Sequence, residues 1–353
     1  MTVMSEEWAR QDVAIQSLNR NAEKVVVFLI PPTVKITGGV ISFFSLCAES
    51  RKLCGPDDEV LLATLPGPET YSSNEFVDPG EKIFRWSQLS SHFHSVARLI
   101  LHIPAFNAGS IFTTLTEEDS AWFERAGAVH MNILNQHIGN MPPPQAIEHL
   151  RDLADELTQT TAHDRYSTQD LADRYDMPVH HFSTWVDPGD YPRTPAAAKE
   201  QVFLFSKDIP HLFEPILELL LAAFPTFDAV VVEDMTYADY LKTIATAKYT
   251  VAFGEGFDGY FVESYLSGGI GFAIYNDDFF PSPSYRELLS VFSSYDELVY
   301  AVVNTVKTFE GDPSLYESQS NLCSQWLGKL YDKSAYRRNL RRFLSGAYDY
   351  VPK

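Results

Sequence analysis

The residues best placed to do chemistry are Glu255 and Glu263, eight positions apart in VAFGEGFDGYFVESYLSGGIGF, residues 251–272. Ionised carboxylates accept hydrogen bonds at two oxygens and suit the hydroxyls of sugars and ribose. The spacing alone is weak, because two glutamates this far apart arise by chance in an acidic chain. The plain alternative is that Glu255 caps a helix and Glu263 lies on a solvated face. The neighbouring residues argue for more. An apolar run, Tyr249 to Phe253, reads as a short buried strand, after which Gly254 and Gly256 let the backbone turn closely around a ligand. Phe257 and Asp258 complete the turn. A helix is expected directly behind it, with Glu263 about two turns further on and with first-turn amides open to phosphate or sugar oxygens.

The frame Glu255-Gly256-Phe257-Asp258, then Glu263-Ser264, then Gly268-Gly269, resembles the signature of the retaining GT-B glycosyltransferases, specifically glycosyltransferase family 4 and its relatives. The resemblance implies an α/β GT-B fold, two Rossmann-like doubly wound domains facing across a cleft. It also implies transfer of a glycosyl group from a nucleotide diphosphate sugar to an acceptor hydroxyl with retention. Glu255 would then orient the donor sugar and Glu263 would take the ribose hydroxyls, with Gly254, Gly256, Phe257 and Asp258 around the donor. Asp258-Gly259-Tyr260 departs from the Gly-Leu-Pro that many members carry.

The same resemblance looks for a histidine of the first domain near the sugar. His137 in NILNQHIGN is the choice, His163 in TTAHDRYST the runner-up, and His102 a core histidine. Lys207 in FLFSKDIP would stabilise the departing diphosphate, although the arginine that members pair with such a lysine is missing. Its plain alternative is a surface lysine before a helix. Gly38-Gly39 would line the cleft of the first domain, or else form a tight turn with no ligand. No metal or other cofactor is implied. The partners are a nucleotide-sugar donor and a saccharide or lipid-linked saccharide acceptor, in a bacterial surface polysaccharide pathway. The alternatives are a nucleotide-sugar epimerase of GT-B fold and a non-catalytic nucleotide-sugar binding protein.

Composition narrows the setting. The chain has 353 residues, 27 Lys plus Arg against 47 Asp plus Glu, and a net charge of −20, which opposes attraction to nucleic acid and anionic lipid. Three cysteines, Cys47, Cys54 and Cys323, offer neither a disulfide framework nor metal-ligand spacing. No apolar run is long enough to span a bilayer, and MTVMSEEWARQD lacks the order of a signal peptide, so a cytoplasmic protein is expected. One basic cluster, Lys329, Lys333, Arg337, Arg338, Arg341 and Arg342, either touches a membrane surface peripherally or solvates a terminal helix packed by its apolar side.

The elements that must hold these residues alternate between apolar strands and helices, the pattern of parallel sheets covered on both faces. A leading helix (1–20) precedes a first domain (21–184) with strands expected at Lys24–Ile30, Val60–Ala63, Lys82–Arg85, Val96–Ile103, Val129–Leu134 and Leu157–Ala162. VDPGDYPRTPAAA marks a linker or hinge, 185–200. A donor domain (201–335) follows, with strands at Val202–Phe205, Ala229–Val232, Tyr249–Phe253 and Gly271–Ile274, and a basic helix closes the chain (336–353).

Overall fold

A computed structural model describes residues 3–32, 38–67, 82–113, 115–183, 185–206, 209–233 and 235–353. The chain divides into two compact units, Met1–Trp185 with Ser334–Lys353, and Val186–Lys333.

In the first unit the order is α1 (Val3–Ala14), β1 (Lys24–Ile30), α2 (Gly38–Arg51), β2 (Asp58–Thr64), β3 (Ile83–Phe84), α3 (Trp86–His92), β4 (Arg98–Pro104), α4 (Glu117–Arg125), β5 (Val129–Asn135), α5 (Glu148–Arg151), β6 (Glu156–Thr161), α6 (Gln169–Tyr175) and β7 (Val179–His181). The strands form one parallel sheet in the order β3-β2-β1-β4-β5-β6-β7. Six consecutive residues of β1, Val25 to Ile30, are fully buried, as a strand covered on both faces requires. Val25, Val27 and Leu29 join one core and Val26, Phe28 and Ile30 the other, which follows from the two-residue alternation of strand side chains.

The second unit contains β8 (Glu200–Ser206), α7 (Pro210–Ala223), β9 (Asp228–Val232), α8 (Tyr237–Thr246), β10 (Ala247–Val251), α9 (Gly259–Leu266), β11 (Ile270–Ile274), β12 (Val291–Phe292), α10 (Tyr295–Gly311) and α11 (Pro313–Leu330). Its strands are also parallel, in the order β12-β11-β10-β8-β9. The chain leaves β8 toward one side and returns to place β10 on the other. That reversal is a topological switch point, where crevices at the carboxyl ends of parallel strands take ligands.

The last helix, α12 (Lys333–Leu344), packs through Leu340 and Phe343 into the core of the first unit. Its basic face meets acids of that unit: Arg337 pairs with Glu49 at 3.0 Å and Arg342 with Asp349 at 2.8 Å. Of the segment 185–200, the residues from Val186 onward belong to the second unit. Arg193 donates to the Tyr265 carbonyl (3.2 Å), Ser320 (3.0 Å) and Asn321 (2.7 Å), and the Ala196 amide donates to Glu317 (2.9 Å).

Candidate functional site

Around Glu255 the site is built from β10 outward. Tyr249, Thr250 and Val251 are buried, and the Ala252 amide still donates to the Phe272 carbonyl at 2.9 Å, so the strand is held for one residue past its formal end. The chain then passes through two left-handed glycines, Gly254 at φ +84° and Gly256 at φ +75°. A Cβ on Gly256 would lie 2.2 Å from the Ile274 carbonyl oxygen, so both its conformation and its space exclude any side chain. Glu255 sits between them, partly buried. Phe257 serves as the anchor of the turn, its ring packed on Phe280 and Tyr285, both at 5.3 Å between centroids, and on Phe261 at 5.8 Å.

Asp258 has a structural task. It is the N-cap of α9, and its Oδ1 accepts the Phe261 amide at 3.1 Å, satisfying one of the donors a helix start leaves open. Thr250 donates to the Tyr260 carbonyl at 3.0 Å and ties the helix start to the strand.

Glu263 is nearer the helix start than the sequence suggests, because α9 begins only at Gly259. Its side chain folds back along the first turn, placing Oε1 3.4 Å from where a Cβ on Gly259 would stand. Its Oε2 accepts the Tyr240 hydroxyl at 2.5 Å. Tyr191 lies close enough to act on the same carboxylate, and Tyr237 close enough to act on Tyr191. Burial pushes the Glu263 carboxyl up to about 7, while the two phenols pull in the opposite direction. Part of its surface remains open, and Gly259 beside it is exposed. The result is a carboxylate with lone pairs to spare at the mouth of a helix, able to accept a diol.

Lys207 lies outside the described residues, directly after β8. β10 pairs with β8, so the carboxyl ends of these two strands flank the switch point of this sheet.

In the first unit, His137 follows β5, and its Nδ1 accepts the Gly139 amide at 3.1 Å. The neighbouring Gln136 reaches α2, donating to the Gly39 carbonyl at 3.2 Å and to the Ser42 hydroxyl. Gly38 and Gly39 open that helix. The two stretches chosen from the sequence are thus joined. A cavity of about 30 Å³ adjoins them, lined in part by Ser42, Asn135, Gln136, Trp185 and Tyr336. His163 is held by its own chain, Nε2 donating to the Gln136 carbonyl at 3.1 Å. His102 is a core residue, 1% exposed, its ring 4.3 Å from Phe28 and 5.0 Å from Phe343, and burial drives its pKa down to about 3.

The phenols around Glu263 were not found by sequence reasoning. Tyr191 falls in the stretch that reads as a linker, and Tyr240 on a helix 23 residues before its partner. Among the described residues no group of three or more His, Cys, Asp or Glu could hold a metal ion, and no helix is long and apolar enough to cross a membrane.

No family model matches the chain, and no curated protein does. Solved structures do resemble it. A structure of Anabaena HepE in complex with UDP and glucose superposes with a TM-score of 0.55 at 11% identity, over 91% of this chain and 99% of that one. The HepE complex with UDP-glucose gives 0.54 at 12%, over 91% and 99%. A glycosyltransferase from Rickettsia africae gives 0.54 at 9%, over 92% and 97%. At such identities the likeness is one of fold. The fold is α/β of the GT-B class, with two Rossmann-like domains.

Proposed function

We propose that this chain transfers a glycosyl group from a nucleoside diphosphate sugar to an acceptor hydroxyl, with the anomeric configuration retained. The observation that carries the reading is Glu263: a carboxylate turned back over the first turn of α9, behind a turn that only glycine permits, beside the switch point of a parallel sheet. Support comes from the fold, shared with a protein crystallised with UDP-glucose.

In this reading Glu263 accepts the ribose hydroxyls, while the amides after Gly254 and at the start of α9 face the diphosphate. Lys207 neutralises charge as the diphosphate leaves, and Glu255 orients the sugar. His137, Gly38 and Gly39 act on the sugar and acceptor side. The departing phosphate oxygen takes the acceptor's proton, and positioning supplies most of the rate. No metal is needed. The acceptor is a saccharide, free or lipid-linked, in surface glycan synthesis.

Calorimetry with UDP, GDP, ADP and thymidine diphosphate tests the donor site. Glu263→Ala should abolish measurable binding of whichever nucleotide binds the wild type, and Glu255→Ala should keep it while losing transfer. The anomeric proton of the product, followed by NMR in a chelator, tests retention and metal independence. The reading fails if none of the four nucleotides binds the wild-type protein.

A further inference from the structure

Glu263 does not stand alone, and its companions are of one kind. The Tyr240 hydroxyl from α8 donates to Oε2 at 2.5 Å, and Tyr191 from the segment before β8 acts on the same group from close by. Tyr237, one turn before Tyr240, neighbours Tyr191, and Tyr331 at the end of α11 interacts with Glu263 electrostatically. The rings brace one another: Tyr237 and Tyr240 stack at 6.2 Å between centroids, and Tyr260 meets Tyr240 edge-on at 5.8 Å. Tyr191 is 7% exposed. Three separate parts of the second unit therefore converge on one carboxylate.

We infer that Tyr240 and Tyr191 are positioning residues for nucleotide recognition, holding Glu263 as an oriented anion whose remaining lone pairs face the ribose. This rests on the function proposed above and deepens it. A carboxylate offers about four acceptor positions on its two oxygens. The Tyr240 phenol occupies one of them, and Tyr191 stands beside the group and restricts its plane, which leaves acceptor positions for a vicinal diol. A protonated carboxyl in the same place would present a donor and one fewer acceptor, and would match the diol poorly. The phenols oppose that outcome, because an O–H pointing at the carboxylate favours its charged form.

The groups that interact with Glu263 or its phenol partners are Tyr240 and Tyr237 from α8, Tyr260 from α9, which acts on Tyr240, Tyr191 from the preceding segment, Tyr331 just after α11, and Asp190, which acts on Tyr237. The phenol values are all raised by burial. Near neutral pH the group that changes charge is thus Glu263 itself.

The test is Tyr240→Phe, with Tyr191→Phe as a second variant should the first misfold. Two measurements are made on the full chain. One is the side-chain carboxyl ¹³C titration of Glu263, assigned by its loss in Glu263→Gln, which involves no nucleotide. The other is affinity for the binding nucleoside diphosphate from pH 6 to 9.

Removing a hydrogen bond to a charged group should raise the carboxyl midpoint by roughly one pH unit or more. Affinity at pH 7 should then fall roughly fivefold and recover toward wild type at pH 9, as the carboxyl ionises. A purely structural role would weaken binding equally at every pH. The inference is overturned if the carboxyl midpoint is unmoved in both variants, or if affinity falls without a pH-dependent recovery. If no nucleotide binds the wild type, the proposed function fails. The carboxyl titration then still decides whether the phenols hold the charge of Glu263.

Discussion

Replacing Glu263 by Gln should stabilise the second unit at pH 8 and change little at pH 4. Burial raises the Glu263 carboxyl from 4.5 to about 7, despite the two phenols beside it, which favour the ionised form. An acid with a raised folded value binds more protons folded than unfolded between those limits. Its stability contribution is therefore complete below about 4.5, declines as pH rises, and levels off above about 7. A rise from 4.5 to about 7 corresponds to about 3 kcal/mol of stability lost by pH 8.

Glutamine keeps the shape and still accepts the Tyr240 hydroxyl, but carries no charge to bury. For a unit of this size, 3 kcal/mol is roughly 6 to 12 °C in Tm, an upper limit because the new amide N–H groups also need partners. Scanning calorimetry of both proteins at intervals from pH 4 to 8.5 provides the assay. The Tm difference should be near zero at the acid end and grow through pH 7. A difference that is constant with pH, or a variant less stable than wild type at pH 8, refutes the reasoning. A gain in stability together with loss of nucleotide binding would identify Glu263 as a residue whose burial serves function at the expense of the fold.

Gly256→Ala should unfold or strongly destabilise the second unit, since the new Cβ meets the Ile274 carbonyl oxygen at 2.2 Å; a Tm within about 2 °C of wild type would contradict this, given that strained backbone and overpacking each cost about 1–3 kcal/mol. Gly259→Ala is its counterpart: the Cβ is accommodated 3.4 Å from Glu263 Oε1, so Tm should hold while nucleotide affinity falls, as calorimetry would show. Asp258→Ala should cost about 1 kcal/mol through loss of the cap on α9, read as a shift in the urea midpoint; an unchanged midpoint would mean the cap contributes nothing. Lys207→Ala should lower turnover more than it weakens donor binding, because charge accumulates toward the transition state; normal turnover in steady-state kinetics would assign that task to another cation.

Much of this protein was legible along the chain, because parallel sheets write themselves locally. KVVVFLI, with no polar residue after its lysine, reads as a strand covered on both faces, and the structure places β1 at Lys24–Ile30. Gly254 and Gly256 around Glu255 marked a turn that needs positive φ, and they have it. Two of the short edge strands were not legible: β12 (Val291–Phe292) and β7 (Val179–His181) carry too few residues to show a period, and pairing with a neighbour makes them strands.

The site followed the same division. That Glu255 and Glu263 flank a strand-to-helix turn is a local fact. That Asp258 caps the helix and Phe257 packs inward depends on geometry within one turn, which composition does not fix. The phenols around Glu263 needed the whole second unit, since Tyr191 is 72 residues from the carboxylate and Tyr240 is 23. Side chains that far apart meet only after the sheet order is set. Sequence thus determined which residues could accept a diol. Tertiary structure decided which of them is buried, what holds it, and at what pH it carries its charge, because desolvation and hydrogen bonding are properties of neighbours brought together by folding.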